Sequence, residues 1–206
     1  MKVIKGILIG LGILTLLIVT AVIVMSFIFI GNDSDSTEGQ KLLNHAKATP
    51  ESLEKALNKQ EVVIEDARFI VQDAEYKSLY PDLIQTIVQN NSSEDIKRIV
   101  IGAVAWDENG LPIALPLQYS FGHSNTFDGV KDEEANIVAG GIYGSDVGME
   151  LDEDHNVHAF KTIIVEYEDY NGNIWNNPEL NTFKSIYQDK RLEDIPNSED
   201  YVYFAN

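Results

Sequence analysis

The sequence predicts a mainly β protein: an antiparallel β-sandwich with short flanking helices, preceded by a single transmembrane helix. Three observations predict it. From Glu61 onward, stretches rich in Val, Ile and Tyr alternate with turn clusters about every 8–12 residues, the spacing of antiparallel strands rather than of βαβ units. Helical periodicity is confined to short segments on either side of that region. Ahead of both, Ile7 to Ile30 is a run of 24 residues without a charge.

That run, ILIGLGILTLLIVTAVIVMSFIFI, makes a helix about 36 Å long, against a hydrocarbon core of about 30 Å. It is too long for the apolar core of a cleaved signal peptide, and its end (Phe29, Ile30, Gly31) lacks the small-x-small cleavage pattern. Lys2 and Lys5 precede it, and Asp33, Asp35 and Glu38 follow. The positive end stays inside, which predicts a single-pass protein at the cell membrane, amino terminus cytoplasmic and carboxyl-terminal domain extracytoplasmic. Residues 1–31 are therefore read as a cytoplasmic stub and transmembrane helix.

Residues 32–60 are read as an acidic tether and a short helical segment. Asn32 to Gly39 (NDSDSTEG) has the small, polar, acidic composition of a flexible connection. Leu42, Leu43 and Ala46 sit at helical spacing between Gln40 and Ala48. A second helix opens at Thr49-Pro50-Glu51, with Thr49 as cap, Pro50 at the first helical position and Glu51 at the positive end of the dipole. Leu53, Ala56 and Leu57 give it a narrow apolar stripe.

Residues 61–192 are read as the β domain with a terminal helix. Strands are predicted near 61–73, 83–90, 96–106, 113–121, 135–139, 146–151 and 159–169. In 96–106 one face carries Ile99, Ile101, Ala103 and Ala105, and the other Val100, Val104 and Trp106. Two apolar faces predict a central strand covered on both sides. Ile163, Val165 and Tyr167 predict a buried row, with Glu166 and Glu168 on the wetter face. The last helix is announced by Asn177-Pro178-Glu179, with Leu180, Phe183, Ile186 and Tyr187 on one side. Residues 193–206 form a tail in which Tyr201 to Phe204 is either a short edge strand or an ordered arm.

Composition removes several chemistries. A formal charge of −18 and a pI near 4.4 argue against a nucleic-acid partner, which requires a basic surface. All 33 acids and 13 of the 15 bases lie beyond the apolar run, so residues 32–206 carry −20. The absence of cysteine excludes disulfides, thiol nucleophiles and thiolate metal sites. Gly122-His123-Ser124-Asn125-Thr126 begins like a nucleophile elbow but ends in Thr and lacks the strand–turn–helix context.

Two segments share a pattern: Trp106-Asp107-Glu108-Asn109-Gly110, and Tyr167-Glu168-Asp169-Tyr170-Asn171-Gly172. In each, an Asp can accept hydrogen bonds from backbone amides ahead of it, and Asn-Gly takes the positive φ of a tight hairpin. A hand-type calcium loop would need a later Gly and a bidentate Glu, and neither segment fits. The chain's one His/acid cluster is Asp152 to His158 (DEDHNVH), read as a wet connection before the strand at 159–169. Its alternative reading is a zinc or calcium site. Trp106 and Trp175, beside the two turns, are read as core pillars; exposed, they would instead stack on sugar rings or a peptide.

Several motifs in order carry a resemblance. Tyr76 to Asp82 (YKSLYPD), Asn90-Asn91-Ser92, Ala105-Trp106-Asp107, Asn109 to Pro112 and Tyr167-Glu168-Asp169 belong to it, as does Asn171 to Trp175 followed by Asn177-Pro178. Over about residues 61–190 the chain resembles a domain family of unknown function from Gram-positive membrane-anchored proteins. That family is similar to the FxLYD group of extracytoplasmic immunoglobulin-like domains. The resemblance implies an immunoglobulin-like β-sandwich outside the membrane and carries no catalytic residue. The chain is thus expected to be a noncatalytic interaction module at the cell envelope, not an enzyme, with a divalent-cation-dependent binding or sensing domain as the alternative. No catalytic, cofactor-binding or metal-ligating residue is assigned, and no cofactor. The expected partners are the lipid bilayer, through the amino-terminal helix, and an envelope protein or ligand.

Overall fold

Thr49 and Ser52 close the first described helix reciprocally. The Ser52 amide donates to Thr49 Oγ1 (3.2 Å) and the Thr49 amide to Ser52 Oγ (2.9 Å), so two otherwise unmet amides are satisfied. The helix, α1 (Pro50–Leu57), starts on Pro50 as the sequence predicts. A computed structural model of the chain describes residues 48–72, 80–117 and 125–205. The apolar run 7–30, the tether 32–39, the helix expected from residue 40, Tyr76 to Leu79 and Gly122 to Ser124 lie outside the described residues. Among the described residues, no helix is long and apolar enough to cross a membrane. Residues 47–206 form one structural unit.

The expectation of a mainly β, antiparallel fold with few short helices is met. In the first sheet, β1 (Val62–Ile70) pairs antiparallel with β2 (Leu83–Asn90), with a bulge between Ile64 and Asp66. The other edge of β2 is shared by two short strands, β6 (Ile142–Tyr143) and β7 (Met149–Glu150). In the second sheet, β3 (Ile96–Trp106) lies between β8 (Ala159–Asp169) on one side and β4 (Pro112–Ile113) and β5 (Phe127–Asp132) on the other. The outer edge of β8 takes β9 (Ile174–Asn176) at one end and β10 (Tyr203–Phe204) at the other.

The central position of β3 follows from its two apolar faces. Ile99, Ile101, Ala103 and Ala105 enter a core shared with Val62, Ile84 and Val88 of the first sheet. Val104 and Trp106 enter a second core with Leu53 of α1 and with Phe183 and Tyr187 of helix α2 (Leu180–Tyr187). Lys161 of β8, itself buried, pairs with Glu54 at 2.7 Å and fixes α1 to the sheet. Buried ammonium groups require such a partner.

Several expectations are corrected. The row Ile163, Val165, Tyr167 does not share a face. Ile101 pairs with Ile164 and Val100 with Glu166, so Val165 is an extra residue, and the alternation resets. Ile163 and Val165 join the second core, and Tyr167 turns to the first. Of the strand expected over 113–121, the described residues give only Pro112–Ile113 and a single bridge at Leu117, because Pro116 lacks an N–H for a ladder; residues 118–121 lie outside the described residues. The segment 135–139 contributes one bridge, Ile137 to Ile96. Helix α2 begins at Leu180, and Asn177 instead closes the preceding turn, accepting from the Glu179 amide (2.9 Å) and donating to the Ile164 carbonyl (2.6 Å). In the tail, a helical turn, α3 (Ser198–Tyr201), leads into β10, which settles the edge-strand alternative for Tyr203 and Phe204.

Candidate functional site

The two Asp-Asn-Gly segments are hairpin turns built alike. Asp107 Oδ1 accepts from the amides of Asn109 (2.9 Å) and Leu111 (2.8 Å), and Gly110 has φ +68°. Asp169 Oδ1 accepts from the amides of Asn171 (2.8 Å) and Asn173 (2.9 Å), its Oδ2 accepts from Asn173 Nδ2 (2.7 Å), and Gly172 has φ +83°. Because β3 and β8 run antiparallel, the turns sit at opposite ends of the second sheet.

The second turn builds a site. It returns the chain as β9, which places Trp175 directly across from Tyr167. The rings stack with centroids 4.8 Å apart and planes 18° apart, within the range of favourable aromatic pairs. The bulge at Val165 is what brings Tyr167 to this face. Beside the pair, the loop from β2 to β3 carries Ser92 and Glu94. Asn90, fully buried, shapes that loop: its Nδ2 donates to the Glu94 carbonyl (2.9 Å), and its Oδ1 accepts from the Ser92 amide (3.0 Å) and hydroxyl (2.7 Å). Glu61 enters from the start of β1. Together with Ile96, Asp169, Asn173 and Ile174 these residues line an open concavity of about 220 Å³. Its lining holds three carboxylates and no basic side chain.

Electrostatics at the site follow from these neighbours. The donated hydrogen bonds from the Asn173 side chain and from the Asn173 and Asn171 amides hold the Asp169 carboxyl below its ordinary range, so it stays ionised. Burial pushes the Tyr167 phenol up, and the charges of Glu61 and Asp169 push the same way. The arrangement offers an aromatic surface edged with negative charge. Next to it, Arg98 joins Glu168 and Glu166 (2.5 and 2.6 Å), and the hydrogen bond from Arg98 holds the Glu168 carboxyl low.

A folded-state value below the unfolded one means that the contribution is full above the ordinary glutamate value of 4.5 and is lost as pH falls through the folded value. The urea midpoint of the chain is therefore expected to drop on acidification below about pH 4.5. The drop should be shallower in Arg98→Met, which removes the hydrogen bond that lowers Glu168 most. Parallel acid slopes for the two proteins would remove Arg98 as the cause.

The other residues singled out in the sequence lie elsewhere. Trp106 is fully buried, donates its indole N–H to the Lys190 carbonyl (2.7 Å) and meets Tyr187 edge-on, so it is a core pillar as expected. Trp175 is half-buried: it packs against the first core and also lines the concavity. His155 and His158 take different partners. His155 Nε2 faces Asp82 Oδ2 at 2.9 Å with its ring edge on Phe69, whereas His158 meets Phe204. Among the described residues, no group of three or more His, Asp or Glu is arranged to hold a metal ion. Tyr167, Glu61 and Glu94 were not legible as site residues. Their one signal is that Tyr167 and Trp175 flank the same Asn-Gly turn.

No curated protein matches the chain. A solved structure of a hypothetical protein from Peptoclostridium difficile 630, at 1.85 Å, is similar with a TM-score of 0.52 and 13% identity, covering 65% of this chain and 94% of that one. At that identity the likeness concerns the fold. A family of unknown function matches residues 83–190, from the first residue of β2 to just beyond α2. That span takes in β3, β8, both hairpin turns and the Tyr167–Trp175 pair, and on it the chain belongs to the family of unknown function DUF5780.

Proposed function

We propose that the chain is a noncatalytic interaction module, an immunoglobulin-like β-sandwich of the FxLYD kind, held at the outer face of a Gram-positive cell membrane by its amino-terminal helix. The observation that carries this reading is the uncharged run from Ile7 to Ile30, with Lys2 and Lys5 ahead of it and a charge of −20 behind it. Two antiparallel sheets sharing one core support the sandwich. The open concavity beside Tyr167 and Trp175 supports recognition by surface contact rather than by chemistry on a bound substrate. An acidic exterior favours basic partners and repels anionic polymers over about 8–10 Å at physiological salt.

Protease treatment of intact cells expressing the chain with a carboxyl-terminal tag tests the topology. The tag should disappear before lysis while a short amino-terminal fragment stays in the membrane fraction. A tag that survives until the cells are broken overturns the reading.

A further inference from the structure

We infer that the concavity at Tyr167 and Trp175 binds a single cationic side chain, lysine or arginine, from an extended segment of a partner polypeptide. Three features of the site converge on this occupant. Stacking uses one π face of each ring, and half-buried Trp175 brings its other face to the lining, the kind of surface that attracts ammonium and guanidinium groups. The carboxylates of Glu61, Glu94 and Asp169 surround them, with no basic side chain in the lining to neutralise them. The volume, about 220 Å³, lies below the roughly 300–1,000 Å³ of sites for drug-sized ligands, so it suits one side chain.

A bare divalent metal fits less well than an organic cation. Both oxygens of Asp169 already accept hydrogen bonds from the turn it closes, while Glu61 and Glu94 are exposed at the rim. A guanidinium or ammonium group needs only the field of these carboxylates and a flat surface, both of which are present. Exposed Ile174 adds an apolar shoulder for the methylene stem of such a side chain. The inference rests on the reading of the chain as a binding module but not on its location.

The test uses the full chain in detergent micelles, where membrane side plays no part, so its failure is distinct from failure of the topology experiment. The probes are acetyl-Gly-Arg-Gly-amide, its Lys and Glu counterparts, tetramethylammonium and CaCl2. Titration is followed by tryptophan fluorescence, in which Trp106 is buried and Trp175 lines the site, and by calorimetry. The Arg and Lys peptides should bind saturably, more weakly as NaCl rises, and the Glu peptide should not bind. Trp175→Ala should weaken binding about three- to thirty-fold, the range of one cation–π contact. The double variant Glu61→Gln/Glu94→Gln, at two exposed positions, should also weaken it while leaving the thermal melt unchanged. Equal binding of the Arg and Glu peptides, or full affinity in the double variant, overturns the proposal. Tetramethylammonium binding as tightly as the peptides overturns the polypeptide source, and competition by CaCl2 beyond matched ionic strength overturns the organic cation.

Discussion

Trp106→Ala is expected to lower the unfolding free energy by about 3–5 kcal/mol. Trp106 ends β3 with none of its surface exposed, and it is among the largest of the fully buried side chains. It packs in the second core with Leu53, Phe183 and Tyr187, so truncation leaves a cavity among three helix residues that cannot all collapse into it. The indole N–H also answers the Lys190 carbonyl beyond α2, and its removal leaves that carbonyl without its donor. Trp106→Phe keeps most of the packing and loses the hydrogen bond, so it should cost about 1–3 kcal/mol. Urea unfolding followed by far-UV circular dichroism measures both. A loss below about 1 kcal/mol for Trp106→Ala would mean that the pillar is not one.

Gly144→Ala is expected to cost about 2–5 kcal/mol. The residue follows β6, where the chain turns close over β2, and it has φ +95°. A Cβ placed there would lie 1.9 Å from the Thr86 carbonyl oxygen, which is backbone in the middle of β2 and cannot move aside. Left-handed backbone costs an L-residue about 1–2 kcal/mol, and the overlap adds about 1–3 kcal/mol more. Gly140→Ala provides the control: φ is +73° but nothing lies within 4 Å, so only the conformational cost of about 1–2 kcal/mol applies. Equal melting temperatures for the two variants would show that close approach to Thr86 is not what Gly144 serves.

Much of this architecture was legible because local signals agreed. Strands 83–90, 96–106 and 159–169 emerged with their bounds because they are long and rich in β-branched residues, and each ends at a turn signal. The cap at Thr49 and both Asp-Asn-Gly turns were legible because their hydrogen bonds are made within four residues. Strand β5 was not legible. Its sequence, FDGVKD, has neither alternation nor apolar density, and it is a strand because six residues of β3 pair with it. Gly129 allows that approach, since a Cβ there would lie 2.7 Å from the Ile101 carbonyl oxygen. The candidate site was half legible. Trp175 stood out by its type, but the bulge that turns Tyr167 towards it follows from pairing with β3, and Glu61 and Glu94 come from distant loops. Neither long-range pairing nor loop placement leaves a local trace.

The pairing of Tyr203 and Phe204 with Phe160 and Ala159 has a consequence for truncation. They lie about forty residues after the positions they pair with, and they cover one end of the strand that runs beside β3. The second sheet is therefore closed by a long-range pairing, and a chain cut before Tyr203 would leave that end of β8 as an unpaired edge.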